Sequence, residues 1–243
     1  MRVAVISDIH GNLHALEAVL AAIDGEGVDE IWCLGDLVGY GPEPNACCTL
    51  VAEHAEICLV GNHDLAVLGH LDLAEFSHDA ATSARWTQGV LSDAARGYLD
   101  SLEPAGEREG TALYHASPRD PVWEYVLSAD VAAASLAAAP HPIVLVGHSH
   151  IALALAAAVG ALEGGLAPGD TELALDEAER WLLNPGSVGQ PRDGDPRAAY
   201  LVLDFLHRRG FFRRVPYAVE RTQAEIRDRG LPETLAARLE HGV

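Results

Sequence analysis

Five short apolar stretches of the sequence end in side chains that can bind a divalent metal ion. In chain order these side chains are Asp8 and His10, Asp36, Asn62 with its neighbour His63, His115, and His148 and His150. Imidazole nitrogen combined with carboxylate and amide oxygen suits Mn, Fe, Zn or Ni. Because the set contains no Cys, a closed structural zinc site is disfavoured. The pattern therefore indicates chemistry at a pair of divalent cations that face an open crevice.

Each of these residues also has an ordinary structural interpretation. Asp8, Asp36 or His115, taken singly, is typical of the turn that follows a strand, and a lone His is more often a structural side chain than a ligand. The argument for a site depends on the whole set. In three of the stretches a Gly stands directly before the polar residue, which is Asp36, Asn62 or His148.

The stretches before these side chains predict buried strands, because they are short, apolar and rich in β-branched residues. They cover residues 3–7, 31–34, 57–60, 112–114 and 143–146. Helical spacing predicts helices over residues 13–24 and 47–54, two within 79–102, and one from about 220 to 241. Further strands are predicted at 152–159, 172–176, 180–183, 199–205 and 211–217. This order predicts an α/β fold with a largely parallel central sheet, on which the strand-rich second half packs as a second sheet.

The carboxyl ends of the strands explain why the polar residues are found there. In open α/β sheets, ligands bind in the crevice beyond those ends. A strand holds the ligand residue rigidly and the following turn exposes it. Asp36 stands alone at the end of its strand, so it is the natural carboxylate to bridge two metals.

Composition limits the partners. The chain has 243 residues, 49% of them hydrophobic, and a formal net charge of −20, which disfavours long nucleic acid and anionic membrane surfaces. The four cysteines include no C-x-x-C pair and are expected to be reduced thiols. The N-terminus lacks a signal-peptide pattern, and no apolar stretch reaches the roughly 20 residues of a membrane helix. We therefore expect a cytoplasmic protein.

The motif series D-x-H, G-D, G-N-H-D, a lone His and G-H-x-H resembles the calcineurin-like metallophosphoesterase superfamily, from Val3 to about Tyr200. The stretch NPGSVGQPRDGDPRAAY (184–200) resembles its small bacterial and archaeal branch of phosphodiesterases and diadenosine-tetraphosphatase-like enzymes. The resemblance implies a four-layer αββα sandwich in which residues 1–243 form a single metallophosphoesterase domain.

The resemblance also assigns roles. It implies one metal on Asp8, His10, Asp36 and His150, and a second on Asp36, Asn62, His115 and His148. The metals would be two divalent transition ions, with Mn expected first and Fe, Zn or Ni as alternatives. A hydroxide bridging them would attack phosphorus in line, with His63 as acid or transition-state stabiliser. One departure stands out: where many members have G-D-x-x-D, this chain has Gly39, so Asp64 or another residue must orient His63.

The predicted substrate is a small phosphoester or nucleotide, hydrolysed as a phosphodiester or phosphomonoester. Asn12, Arg119 and Arg192 are candidate phosphate contacts, although Asn12 equally suits a helix cap and the arginines equally suit a solvated surface. Three alternatives stay open: a metal-free interaction scaffold of the same fold, a serine/threonine-type protein phosphatase, and a metal-storage protein. The pattern does not predict the oligomeric state.

Overall fold

The structure is a computed structural model that describes residues 1–158, 161–175 and 180–243. Its strands are β1 (Arg2–Ile6), β2 (Glu30–Cys33), β3 (Ile57–Cys58), β4 (Ala105–Arg108), β5 (Thr111–Tyr114), β6 (Ile143–Leu145), β7 (Leu153–Ala158), β8 (Ala161–Leu166), β9 (Glu172–Ala174), β10 (Arg180–Asn184), β11 (Ala198–Asp204) and β12 (Arg209–Val215). Its helices are α1 (Leu13–Asp24), α2 (Pro44–His54), α3 (Asn62–Leu68), α4 (His78–Val90), α5 (Asp93–Asp100), α6 (Ala129–Ala138), α7 (Val219–Asp228) and α8 (Glu233–Ala237), with 3₁₀ turns at Leu73–Glu75 and Arg238–Glu240.

Within the described residues the strands form two six-stranded sheets, ordered β3-β2-β1-β11-β12-β9 and β4-β5-β6-β10-β7-β8. In the first sheet β1, β2 and β3 are parallel, and in the second β5, β6 and β10 are parallel. The remaining pairings are antiparallel. Helices flank the two packed sheets, which confirms the predicted αββα layers.

Strand β1 shows why its sequence is a continuous apolar run. Val3 and Val5 belong to the core between the sheets, together with Leu113 of the second sheet. Ala4 faces the other way and packs with Leu16 of α1. A strand covered on both faces buries every side chain, at about 1.5–3 kcal/mol for each large one, so no polar alternation remains.

The expectation that the second half of the chain builds its own sheet is wrong. Strand β11 pairs antiparallel with β1, and β12 follows it in the first sheet. Strands β5 and β6, which precede the strands predicted from residue 152 onward, also belong to the second sheet. The physical reason is that β1 has β2 on one side only, and its other edge would leave unpaired backbone groups unless another strand covers it.

Several elements of the structure differ from the prediction. Helix α3 begins at Asn62, where a turn was expected, and β4, α6 and β8 were not predicted. The single C-terminal helix expected to about residue 241 ends at Asp228 and resumes as α8 after Pro232. Positions 159 and 176, the last residues of two predicted strands, lie outside the described residues. None of the described helices combines the length and hydropathy needed to cross a bilayer.

Candidate metal centre

The polar side chains that follow the five strands meet at one edge of the two sheets. The groups that could hold a metal ion are Asp8, His10, Asp36 and His150, and Asp36, His115 and His148. Within each group the ligand atoms lie within 4.8 Å of one another, and every member is buried. Asp36 belongs to both groups. Three of the strands lie in one sheet and two in the other, so the two sheets together build the centre.

The carboxylate of Asp36 lies between imidazoles of both sheets. Its Oδ2 atom is 3.5 Å from His10 Nε2 and 3.6 Å from His115 Nε2. The Oδ1 atom of Asn62 lies 3.3 Å from the same His115 nitrogen. The structure therefore brings Asn62 beside the second group, as the motif series led us to expect.

The backbone at the strand ends is strained. Asp8, His10, Asp36, His148 and His150 have φ angles of 55°, 50°, 53°, 62° and 59°. The left-handed region costs an L-residue about 1–2 kcal/mol, and such strain is concentrated at functional sites. The surrounding packing must therefore hold these five residues in place.

Glycines allow the ligand segments to approach one another. A Cβ at Gly61 would collide with the carboxylate of Asp36, and one at Gly147 would collide with the Ser7 hydroxyl. With hydrogen in that place, the turn after β3 packs directly against Asp36. The Gly that precedes a motif residue is therefore a requirement of close packing.

Backbone carbonyls set the orientation of three imidazoles. The Nδ1 atoms of His10, His115 and His150 lie 3.0, 2.9 and 2.6 Å from the carbonyl oxygens of Val38, Leu34 and Gln190. A carbonyl only accepts, so each Nδ1 carries the proton and donates it. Each Nε2 then presents a lone pair to the centre, which is the usual arrangement of a metal-binding histidine.

Burial shifts the pKa of the two carboxylates and of three of the imidazoles at the centre. Loss of solvation raises the pKa of Asp8 to about 7 and raises the pKa of Asp36 well above its usual value. The same loss lowers the pKa of His148 to about 2 and holds the pKa values of His10 and His150 well below the usual value. These three imidazoles are therefore neutral near pH 7, the form that binds metal.

The residues present fit divalent cations. Asp8 Oδ2, Asp36 Oδ2 and His148 Nε2 are buried and have no hydrogen-bond partner within the described residues. Buried polar atoms are normally paired, and leaving one unpaired costs about 1–3 kcal/mol. All three atoms are lone-pair donors at the centre, so a bound cation would satisfy them together.

His63 is held by ring packing. Its ring centroid lies 4.4 Å from Tyr40, 4.9 Å from His10 and 5.2 Å from Phe76. Its Nδ1 atom is buried without a hydrogen-bond partner within the described residues. On the remaining side a Cβ at Gly39 would lie 2.8 Å from that nitrogen, so Gly39 leaves the space that the ring fills.

Asp64 does not orient His63. Its carboxylate accepts hydrogen bonds from the backbone N–H groups of Val38 and Gly61, both at 3.0 Å. Asp64 thus caps α3 and ties it to the segment after Asp36. The expectation that Asp64 replaces the missing carboxylate is wrong, because its oxygens serve the backbone.

The two candidate arginines have different surroundings. Arg192 lies against the centre: its Nη2 is 3.4 Å from the hydroxyl of Tyr40, and its charge contributes to lowering the pKa of His63 to about 3, after burial. Arg119 is 46% exposed and pairs with Glu124 at 3.2 Å. The structure therefore brings only Arg192 of this pair into contact with residues around the centre.

Both polar atoms of the Asn12 side chain form hydrogen bonds within the protein. Its Oδ1 accepts from the Ala15 N–H at the start of α1 and from the Thr222 hydroxyl. Its Nδ2 donates to the Gly189 carbonyl and to the Tyr217 hydroxyl. This confirms the capping interpretation of Asn12 and leaves it no free donor for a substrate.

Sequence reasoning missed two neighbours of the centre. Tyr125 stacks on His148 with ring centroids 4.0 Å apart, and its side chain is 44% exposed. Gln190 supplies the carbonyl that orients His150. The sequence feature that could have pointed to Tyr125 is the aromatic loop after His115. The feature that could have pointed to Gln190 is the 184–200 stretch, which carries part of the family resemblance.

Comparison with known proteins decides the family. Residues 1–208 match the sequence model of the calcineurin-like phosphoesterase superfamily domain. The chain belongs to the calcineurin-like phosphoesterase superfamily. The chain is 39% identical over 242 residues to an uncharacterized protein of Methanocaldococcus jannaschii, an alignment that covers 98% of this chain and 96% of the archaeal one.

Two further similarities concern structure and activity. A crystal structure of a metallophosphoesterase from Sphaerobacter thermophilus superimposes on this chain with a TM-score of 0.89 and 40% identity, over 100% of this chain and 99% of that one. The symmetrical bis(5'-nucleosyl)-tetraphosphatase of Pseudomonas putida is 29% identical over 121 residues, which is 48% of this chain and 42% of that enzyme. The second similarity therefore concerns about half of the chain.

Proposed function

We propose that this protein is a phosphoesterase that depends on two divalent metal ions and hydrolyses a small phosphodiester or nucleotide. The observation that carries the proposal is the position of Asp36, whose carboxylate belongs to both groups of potential ligands. A carboxylate shared in this way suits a pair of cations that act on one phosphoryl group.

Each metal has a set of ligands in this proposal. Asp8, His10, Asp36 and His150 would hold the first, and Asp36, Asn62, His115 and His148 the second. When bound, two such cations neutralise phosphoryl charge and lower the pKa of a water, which yields a nucleophile near neutral pH. His10, His148 and His150 are neutral near pH 7 and ready to bind, whereas burial raises the pKa of Asp8 and Asp36, so binding is linked to the loss of a proton from these carboxyl groups.

His63 acts on the leaving-group side in this proposal. Burial lowers its pKa to about 3, so the ring is neutral at pH 7. A neutral imidazole donates one N–H, which favours stabilisation of charge in the transition state over proton transfer from an imidazolium. Ring packing against Tyr40 and Phe76 keeps that N–H in one direction.

The substrate is small and anionic. The net charge of −20 disfavours long nucleic acid, whereas Arg192 supplies positive charge directly at the centre. The partial similarity to a bis(5'-nucleosyl)-tetraphosphatase supports a nucleotide. Manganese is the first metal to test, with Fe, Zn and Ni next, since the donor set suits all four.

The test combines metal analysis with two chromogenic substrates. We expect purified protein to contain up to two equivalents of transition metal by elemental analysis. We also expect bis(p-nitrophenyl) phosphate or p-nitrophenyl phosphate to be hydrolysed with added Mn²⁺, and chelation to abolish turnover. Metal-free protein that turns over at the same rate would contradict the mechanism. Protein that neither binds metal nor hydrolyses either compound would favour the scaffold alternative.

A further inference from the structure

Tyr125 is the exposed neighbour of an otherwise buried metal centre. None of the seven proposed metal ligands is more than 3% exposed. Of the aromatic rings that contact the histidines of the centre, Tyr40 is buried and Phe76 is half-buried, whereas Tyr125 is 44% exposed. A substrate has to reach the buried ligands from solvent, and Tyr125 stands where the centre opens to it.

The exposure of this ring is unusual for the chain. Among the described residues, every other Phe, Trp and Tyr is buried or half-buried. The one exposed aromatic side chain is also the one that lies flat on a metal-ligand ring, with its centroid 4.0 Å from that of His148 and an angle of 24° between the ring planes. Burying a large aromatic side chain is favourable, so a ring left open at the mouth of a site is a surface for a ligand.

The chain on both sides of Tyr125 is fixed. Before it, the Glu124 carboxylate accepts a hydrogen bond from the Ser117 hydroxyl at 2.6 Å and pairs with Arg119 at 3.2 Å. After it, Val126 is 4% exposed and belongs to the core cluster that α6 also enters. Because the neighbours hold the ring in place, little conformational entropy is lost when a ligand packs on it.

A second pair of rings lies along the same segment. Trp123, two residues before Tyr125, packs against Phe76 with 5.0 Å between centroids, and Phe76 lies 5.2 Å from His63. The segment thus extends from the surroundings of His63, which acts on the leaving-group side in the proposed function, to His148 of the second ligand group. A group esterified to a phosphate at the metals would lie beside this aromatic edge.

We propose that Tyr125 is a specificity-determining residue that stacks on a planar aromatic group esterified to the phosphate at the metal centre. The substrate class is an aromatic phosphoester such as a nucleotide, which Tyr125 recognises by the face of its base. Stacking on an aromatic side chain tolerates different bases, because every base has a π face. The inference rests on the proposed function, since the metal ions have to hold the phosphate.

A comparison of two ligands that differ in the base tests the stacking. Adenosine 5′-monophosphate and ribose 5-phosphate are titrated calorimetrically into protein loaded with Mn²⁺. We expect wild type to bind the nucleotide about tenfold more tightly than the sugar phosphate. Tyr125→Leu should remove most of this difference, because it keeps an apolar side chain but has no ring. Tyr125→Phe should retain the difference.

Leu206→Ala is the control variant. Leu206 is another exposed large apolar residue, 75% exposed, in the turn between β11 and β12, and its replacement should leave the preference for the nucleotide as in wild type. Wild type that binds the two ligands equally well would overturn the inference, whatever the variants do. So would Tyr125→Leu that keeps the preference, including the case in which it weakens both ligands alike. Thermal midpoints are measured alongside, and Tyr125→Met replaces Tyr125→Leu if the latter is unfolded.

Hydrolysis of bis(p-nitrophenyl) phosphate with Mn²⁺ distinguishes stacking from support of the His148 ring. We expect Tyr125→Leu to raise KM about tenfold and to change kcat little, because a contact with a group remote from the reacting bonds is made equally in the ground and transition states. A fall in kcat with KM unchanged would show that Tyr125 acts through His148, which contradicts the inference.

The two experiments also separate this inference from the proposed function. If wild type hydrolyses the diester but binds the nucleotide and the sugar phosphate equally, the stacking role is wrong and the proposed function stands. If wild type hydrolyses no ester but prefers the nucleotide, and Tyr125→Leu loses that preference, the proposed function is wrong and the stacking role stands.

Discussion

The Nε2 atoms of His10 and His150 lie 3.0 Å apart in the buried centre. Both rings donate from Nδ1 to backbone carbonyls, of Val38 and Gln190, so both Nε2 atoms carry lone pairs. Two lone pairs that face each other in a buried site repel. A cation coordinated by both nitrogens would remove this repulsion. From the relationship between the two histidines we therefore expect the fold to be more stable with a bound cation than without one.

The first prediction concerns the effect of metal removal on thermal stability. Chelation is expected to lower the thermal midpoint, and added Mn²⁺ to restore it. A ligand at 100 times its dissociation constant stabilises by about 2.7 kcal/mol per site, which corresponds to roughly 5–10 °C for a chain of this size. Differential scanning fluorimetry with and without chelator measures the shift. An identical midpoint in both conditions contradicts the assignment.

Asp36→Asn tests the shared carboxylate. We expect turnover to fall about a thousandfold or more and metal content to fall below two equivalents, because both groups lose a charged ligand worth several kcal/mol. Metal-free Asp36→Asn should be no less stable than wild type, since an amide there can donate to the nearby Nε2 atoms. Asp228→Asn, at the exposed end of α7, is the control. Two tightly bound metals and normal turnover in Asp36→Asn would refute the bridge.

The raised pKa of the Asp8 carboxyl group predicts that the affinity for metal depends on pH. Burial raises the pKa of Asp8 to about 7, so in metal-free protein below pH 7 this carboxyl is mostly protonated. Binding must displace that proton, so the affinity for Mn²⁺ should fall at least tenfold for each pH unit below about 7. Above that pH this dependence should level off. Titration calorimetry across pH 5.5–8.5 measures it, and an affinity independent of pH would show that Asp8 is not a ligand.

His63→Gln separates catalysis from metal binding. We expect kcat to fall by about 10²–10⁴ while metal content stays the same. The loss should be larger for an alkyl leaving group than for p-nitrophenolate, because the poorer leaving group needs more stabilisation. His54→Gln, at the exposed end of α2, is the control. A loss of metal in His63→Gln would mean that His63 is a ligand.

Gly39→Ala and Gly69→Ala are a matched pair of variants for testing the space beside His63. Their φ angles are +85° and +89°, so replacement by Ala costs both about 1–2 kcal/mol. At Gly39 the new methyl group would also lie 2.8 Å from His63 Nδ1, whereas at Gly69 nothing lies within 4 Å. Gly39→Ala should therefore lower turnover tenfold or more, and Gly69→Ala should lower only the thermal midpoint. Equal turnover in both variants would show that the space beside His63 does not matter.

Much of the architecture follows from local pattern. The runs before Asp8, Asp36 and His148 are apolar on both faces, and such runs form buried strands in many contexts. Helix α3 could not be predicted in this way, since its seven residues carry no long periodic pattern. It forms because Asp64 caps it and because neighbouring segments pack against it.

The sequence alone determined which side chains stand at strand ends and that their chemistry suits metal ions, because strand formation and turn position depend on near neighbours in the chain. The tertiary structure alone decided which sheet each strand joins and that all four hydrogen bonds of the Asn12 side chain are made within the protein. Those outcomes depend on contacts between segments far apart in the chain. Burial of apolar faces and pairing of strand edges determine these contacts, and local sequence patterns do not specify them.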